Sequence, residues 1–178
     1  MIDLAKPLPY GFTRAAPAAA GGTVYSRHPL VPVGDPGAEA GSLHTPQALV
    51  EIPGAVPVEV TSVHPLPPLD PANTRPWHDA LRALPAADPD GPARILAGDF
   101  NATLDHAALR DVLARGYTDA AAALGEGLRG TWPVGPLPKI TLDHVLVDAR
   151  IGVGGVDTHE PAGGDHRAVS AELTLPAA

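Results

Sequence analysis

Apolar positions along this chain come in short runs, and most of the runs alternate or continue in the manner of strands. Such runs occupy residues 23–26, 47–52, 56–64, 95–97, 142–147, 151–156 and 168–175, bounded mostly by the glycine, proline and aspartate that end strands. Those at 47–52 and 56–64 flank Pro53-Gly54 and read as a hairpin or two neighbouring strands. Three stretches carry helical signals instead. Trp77, Leu81 and Leu84 fall on one face behind Pro76 and Thr74, the predicted cap. Leu109, Val112 and Leu113 do the same between Asp105, a second predicted cap, and Gly116. Residues 119–124 predict a third, short helix. Residues 1–20 read as an irregular entry segment, 32–45 as a loop, 125–135 as a glycine-rich loop around Thr131-Trp132-Pro133, and 163–167 as a tight turn into the last strand. Neither a repeat nor a domain boundary interrupts the pattern, so 178 residues predict a single domain able to bury a core.

Composition narrows the chemistry. The absence of cysteine excludes disulfides, thiolate metal sites and a cysteine nucleophile. A formal net charge of -8 argues against a broad basic groove that grips nucleic acid through many phosphates, and suits a small phosphorylated substrate or a lipid headgroup better. No apolar run reaches the ~20 residues that span a bilayer, and the first residues lack the basic and apolar regions of a signal peptide. The expectation is a soluble chain, cytoplasmic by default, with any membrane anchor confined to a segment upstream. The 22 Pro and 19 Gly beside only 12 Lys plus Arg match the residue usage of a high-GC bacterium.

The run from Ile95 to Thr103 concentrates candidate chemistry. An apolar stretch at 95–97 suits a strand buried on both faces, and Gly98 is a common way to end one or to bring backbone close to a ligand. Asp99 and Asn101 would leave the strand on the same side, at the sheet edge where open α/β folds bind ligands. An Asx turn followed by a helix cap accounts for the same residues. Further along, His64, Asp143 with His144, and Asp165 with His166 also stand at predicted strand ends. Carboxylates, an amide and imidazoles in one pocket could bind a hard cation, orient water and move a proton.

Ser62-Val63-His64-Pro65, Gly98-Asp99-Phe100-Asn101, Leu142-Asp143-His144-Val145-Leu146 and Gly164-Asp165-His166 follow one another, after Gly22-Thr23, Ser26-Arg27 and Pro29-Leu30. In that order they resemble the motifs of the endonuclease/exonuclease/phosphatase superfamily, which includes deoxyribonuclease I, abasic-site endonucleases, sphingomyelinases and inositol polyphosphate 5-phosphatases. The resemblance implies an α/β fold, a two-sheet deoxyribonuclease I-like sandwich with flanking helices. It also implies magnesium-dependent hydrolysis of a phosphomonoester or phosphodiester by water, with manganese as the substitute ion. The implied partner is a phosphorylated substrate: nucleic acid, nucleotide, lipid headgroup or inositol phosphate. By resemblance, Asp99 orients or deprotonates the attacking water and Asn101 helps to hold phosphate and water. His64 contacts the scissile phosphate or helps the leaving group, Asp165 ligates the metal, and Asp143 and His166 form a carboxylate-histidine pair. A carboxylate beside an imidazole raises its pKa and fixes its tautomer, so Asp143 would keep His166 positive near phosphate. Arg27 and Arg167 are candidate contacts to phosphate oxygens.

The chain also departs from that pattern. In the superfamily an Asn on the first strand and a metal-ligating Glu lie upstream of the segment that residues 22–30 resemble. Here the only acid before Gly22 is Asp3, and no Asn or Gln precedes it. The resemblance therefore covers the C-terminal part of a family domain, roughly two thirds of it. A fold incomplete at the N terminus is the expectation, with weaker metal binding, an unpaired sheet edge and self-association through it. Two alternatives are a catalytically inactive or truncated member that binds phosphate or a partner, and a structural partner of a chain that carries the missing strands. Asp99, Asn101 and Thr103 also resemble the start of a calcium loop, but Leu104 and Arg110 stand where glycine and an acid are required. The glycosylation sequon at Asn101 falls on the candidate site and is discounted. His78, His106, His144 and His159 lack zinc spacing and are expected to be ordinary core or surface residues, and Trp132 core or a substrate platform.

Overall fold

The computed structural model describes residues 7–17, 20–40 and 42–178. In chain order its elements begin with β1 (Tyr10–Arg14), β2 (Gly22–Ser26), β3 (Leu30–Gly34), α1 (Pro36–Glu39), β4 (Gln47–Val50), β5 (Val58–Val63) and α2 (Pro71–Ala83). There follow β6 (Ala93–Asp99), α3 (Ala107–Leu113), β7 (Tyr117–Asp119), α4 (Ala120–Ala123), β8 (Asp143–Asp148), β9 (Gly152–His159) and β10 (Ala168–Thr174). Six strands form one sheet in the order β3-β4-β5-β6-β8-β7, and two ribbons, β1-β2 and β9-β10, accompany it.

Within the sheet β5 and β6 run parallel while the other neighbours are antiparallel. Parallel neighbours need a crossover connection, supplied here by the loop at 64–70 and α2. As a result β5 and β6 end at the same edge of the sheet, with Val63 beside Gly98, and antiparallel β8 begins there, with Asp143 beside Asp99. The predicted strand ends converge because of this mixed topology.

Period two sorts the side chains into two layers. Leu96 and Leu146 join Trp77, Leu81, Leu109 and Val112 in a core against α2 and α3. Ile95, Val145 and Val147 pack with Ile151, Val153 and Leu173, toward the β9-β10 ribbon. Each fully buried Leu or Val contributes roughly 1.5–3 kcal/mol, so both layers hold β6 and β8 in place. The layering is an α/β arrangement of helices, a six-stranded sheet and a second, smaller sheet.

Several predicted elements differ. Residues 10–14 are a strand rather than irregular, paired in register with β2 from Tyr10 opposite Ser26 to Arg14 opposite Gly22. This ribbon strand is mostly exposed, so it carries no burial alternation to read. Asp3 lies outside the described residues. The predicted loop at 32–45 contains the end of β3 and α1. Pro32 is tolerated because β3 is an edge strand, with an irregular register between Pro32 and Gly34, and Asp35 caps α1 by accepting from the Ala38 N–H at 3.2 Å. Thr74 does not cap α2. Asp70 does, accepting from the Asn73 N–H at 2.9 Å, and Pro71 takes the first helical position, which its fixed φ suits. His106, not Asp105, precedes α3, without a side-chain capping bond. The hairpin expectation holds for β4 and β5, which pair antiparallel. The outer edge of β3 has no partner strand among the described residues, and Val31 and Val33 there are 54% and 51% exposed. No helix of the described residues is long and apolar enough to cross a membrane.

Candidate active site

The sheet edge where β5 and β6 end is a crowded junction. Gly98 has φ +142, and a Cβ there would lie 2.1 Å from the Val63 carbonyl oxygen. Glycine at this position therefore lets β6 lie close to β5, and the close approach is to a neighbouring strand. β6 runs on through Gly98 to Asp99. Phe100 then turns into the helix-side core and is fully buried. Its carbonyl accepts from the Trp77 indole N–H at 3.0 Å, which ties α2 to the strand end.

Asp99 and Asn101 stay on the solvent side. The Asp99 carboxylate accepts from the Asn101 N–H at 2.8 Å, and Asn101 adopts a left-handed φ of 48. Its side-chain amide donates to the Pro65 carbonyl at 3.1 Å, so the loop after His64 is held against the turn after Asp99. An Asx-type turn and a ligand-facing carboxylate, set apart as alternatives in the sequence, coexist in one geometry.

Across the ladder Asp143 is the Cα partner of Asp99. The Leu142 and Asp143 N–H groups both donate to the Thr131 hydroxyl, at 3.0 and 3.1 Å, which anchors the start of β8. The turn before β10 is fastened to the same loop: Arg167 N–H donates to the Thr131 carbonyl and Val134 N–H to the Asp165 carbonyl, each at 2.8 Å. This fastening carries His166 to Asp143, Nδ1 to Oδ2 at 2.8 Å, with its Nε2 3.8 Å from Asp99. Ligand atoms of Asp99, Asp143 and His166 all lie within 4.8 Å of one another.

The surroundings shift both Asp99 and His166. Burial pushes the Asp99 carboxyl above the ordinary 3.8, and the Asp143 charge pushes the same way against the lowering effects of the Asn101 N–H, His166 and His64. Burial disfavours a charged His166, yet the hydrogen bond to Asp143 and the charges of Asp143, Asp99 and Asp165 outweigh it and hold the imidazole above its usual 6.5. A protonated imidazole beside two carboxylates is the arrangement the geometry favours.

His64, Asp99, Asn101, Asp165 and His166 line one cavity of ≈ 480 Å³. Its other walls include Pro67, Pro68, Leu69, Trp132, Ile140 and Leu142. Arg27 is exposed just past β2 and is absent from that lining. Arg167 is paired with Glu160. His144 points through the sheet to the opposite layer, 97% buried, with Nδ1 2.8 Å from Asp119 and Nε2 2.8 Å from the Ala102 carbonyl. One residue of register separates it from Asp143, and strand alternation sends the two to opposite faces. Trp132, expected as core or a substrate platform, stands on the cavity wall, and so does His106, expected to be an ordinary residue. Sequence reasoning missed the anchoring part of Thr131 and the apolar walls other than Trp132. The proline run after His64 was the available hint of a structured loop at the site.

The family model described as Endonuclease/Exonuclease/phosphatase family matches residues 2–166. Among solved structures, D. rerio TDP2 humanized by 14 mutations has a TM-score of 0.71 at 16% identity, over 96% of this chain and 78% of that one. An endonuclease/exonuclease/phosphatase family protein from Leptotrichia buccalis C-1013-b has a TM-score of 0.67 at 14% identity, over 93% and 72%. An endonuclease/exonuclease/phosphatase from Beutenbergia cavernae DSM 12333 has a TM-score of 0.62 at 22% identity, over 86% and 47%, so this chain spans about half the length of that protein. At such identities the shared property is the fold. No curated protein matches the sequence.

Proposed function

Because this chain belongs to the endonuclease/exonuclease/phosphatase family, whose members hydrolyse phosphoesters, we propose that it is a phosphoester hydrolase acting through the Asp99, Asp143 and His166 cluster. The observation that carries the reading is the register of β6 against β8, which sets Asp99 opposite Asp143 with His166 bonded to Asp143 at 2.8 Å. Asp99, with its raised pKa, is placed to take a proton from an attacking water. His166, favoured in its charged form, donates a hydrogen bond from Nε2 to a phosphoryl oxygen and offsets charge as it develops. His64, on the same wall, faces the phosphate from β5, and Asn101 keeps Asp99 oriented through its backbone N–H.

The donors suit a hard divalent cation. The carboxylates of Asp99 and Asp143 would supply the oxygens that magnesium or manganese prefers, Asp165 adds a third from the cavity wall, and a cation would relieve the repulsion between Asp99 and Asp143, which stand opposite one another. When bound there, the ion would supply positive charge to a phosphoryl oxygen. Contact with Arg27 would need a substrate that extends beyond the cavity. The exposed edge of β3 supports self-association, which light scattering across a concentration series would detect.

The test is release of nitrophenol from bis(p-nitrophenyl) phosphate and p-nitrophenyl phosphate with and without magnesium. Asp99→Ala and His166→Ala should each lower the rate by about 100-fold or more. Robust turnover unaffected by both changes would sink the site. Phosphate binding without turnover would instead favour a binding module.

A further inference from the structure

We infer that this site takes a phosphoester bearing an apolar substituent next to the phosphate, rather than a polyanion. The inference rests on the reading of the cavity as a phosphoester site and narrows its substrate class.

The cavity walls carry the argument. Beside the acidic and imidazole cluster they present Leu69, Trp132, Ile140 and Leu142. Three of these are exposed in the free chain: Leu69 by 84%, Ile140 by 44% and Trp132 by 37%. Apolar side chains left open beside a charged cluster mark a groove that a ligand covers. Ile140 also belongs to the wall of a second cavity of ≈ 320 Å³, lined among others by Leu104 and Leu128. That second cavity is mixed, with Thr103, Asp105, Lys139 and Thr141 beside Leu104 and Leu128, so the apolar surface that belongs to the cluster is the wall of Leu69, Trp132, Ile140 and Leu142.

Charge points the same way. A polyanion such as a nucleic acid strand or a multiply phosphorylated inositol is held by several lysines and arginines at once. No arginine or lysine lines the cavity that holds Asp99 among the described residues. Among the cations nearby in the sequence, Arg110 donates to the Leu104 and Asp105 carbonyls, Arg129 pairs with Glu126 and Asp157 and Arg167 with Glu160, while Lys139 stands on the wall of the second cavity and not of the one that holds Asp99. What remains for the ligand is one cluster for one phosphate, with apolar surface alongside.

The experiment is direct titration of the full chain, with magnesium, against non-hydrolysable methyl-, butyl-, octyl- and phenylphosphonate, read by calorimetry so that turnover is not required. Affinity should rise by about fourfold for each added methylene that the walls cover. Leu69→Ser and Ile140→Ser should flatten that rise, while Leu124→Ser, an exposed position outside both cavities, should keep it. A rising alkyl series identifies an alkyl chain as the substituent, and a flat alkyl series with tight phenylphosphonate identifies an aryl group; either supports the inference. A series flat throughout overturns it, as does a DNA oligonucleotide or inositol hexakisphosphate that binds more tightly than octylphosphonate. Binding that follows the apolar series in a chain without hydrolase activity leaves the inference standing and removes the hydrolase reading. If no phosphonate binds, the inference falls, and the hydrolase reading is decided by the nitrophenyl phosphate assay alone.

Discussion

Asp99 and Asp143 stand directly opposite one another on antiparallel β6 and β8, so two carboxylates share one face at the end of the sheet. Like charges in that relation repel. His166 lies against both, 2.8 Å from Asp143 and 3.8 Å from Asp99. The Asp143 charge therefore bears on the protonation of both Asp99 and His166.

Neutralising Asp143 should therefore move two titrations at once. Asp143 raises both the Asp99 and His166 values, so Asp143→Asn should lower both. NMR of the His166 ring without divalent cation should show its midpoint displaced to lower pH, and the proposed activity should drop by about 100- to 10,000-fold. An unmoved His166 titration would dissolve the pair.

Stability should carry opposite pH signatures at the two residues. The Asp99 carboxyl titrates above 3.8 in the fold, so the folded chain binds this proton more tightly than the unfolded one. Its contribution is fully present below 3.8 and is lost as pH rises through the folded value. Asp99→Asn should thus melt at a higher temperature than the parent near neutral pH, with the gap closing in acid. His166 is also raised, above 6.5; its contribution is fully present below that value and lost as pH rises through the folded one. His166→Ala should accordingly cost more stability in mild acid than in mild alkali. Thermal melts across pH read both.

Gly98→Ala should be severely destabilising. The added Cβ would sit 2.1 Å from the Val63 carbonyl oxygen, at a φ of +142 that side chains rarely adopt. The expected loss exceeds ~3 kcal/mol, since strain and a forced parting of β5 from β6 combine. Urea unfolding would show a lowered midpoint, and an unchanged midpoint would contradict the strand contact.

Asp119→Ala should also destabilise, from the opposite face of the sheet. Asp119 accepts from the Ala122 N–H at 2.7 Å as the cap of α4 and bonds the buried His144 ring at 2.8 Å. Removing one partner of a buried pair typically costs ~3–5 kcal/mol. A change below ~1 kcal/mol in urea unfolding would mean that the pair contributes little.

The residues that meet at the sheet edge were legible because strand ends are short-range features. Apolar runs closed by Gly98-Asp99 and His64-Pro65, and one opened by Leu142-Asp143, state locally where backbone leaves or enters the sheet. The strand at 10–14 and the edge strand with Pro32 were not, because an exposed ribbon buries no alternating face and an edge strand can hold a proline. The cap at Asp70 depended on which of several neighbouring polar side chains reached the free N–H groups of α2, and a residue count cannot rank them; α3 begins after His106 with no side-chain cap at all.

By itself the sequence determined which chemical groups this chain owns, their order, and their place at the ends of apolar runs, since period and punctuation act over a few residues. Only the tertiary structure decided that β5 and β6 run parallel and β8 antiparallel, which brings ends 36 and more residues apart to one edge. It also decided that Asp143 lies beside Asp99 and His166 while His144, its neighbour, is buried behind the sheet. A strand's alternation is written in the chain, but which face becomes core depends on what packs against it, and that partner comes from elsewhere in the sequence.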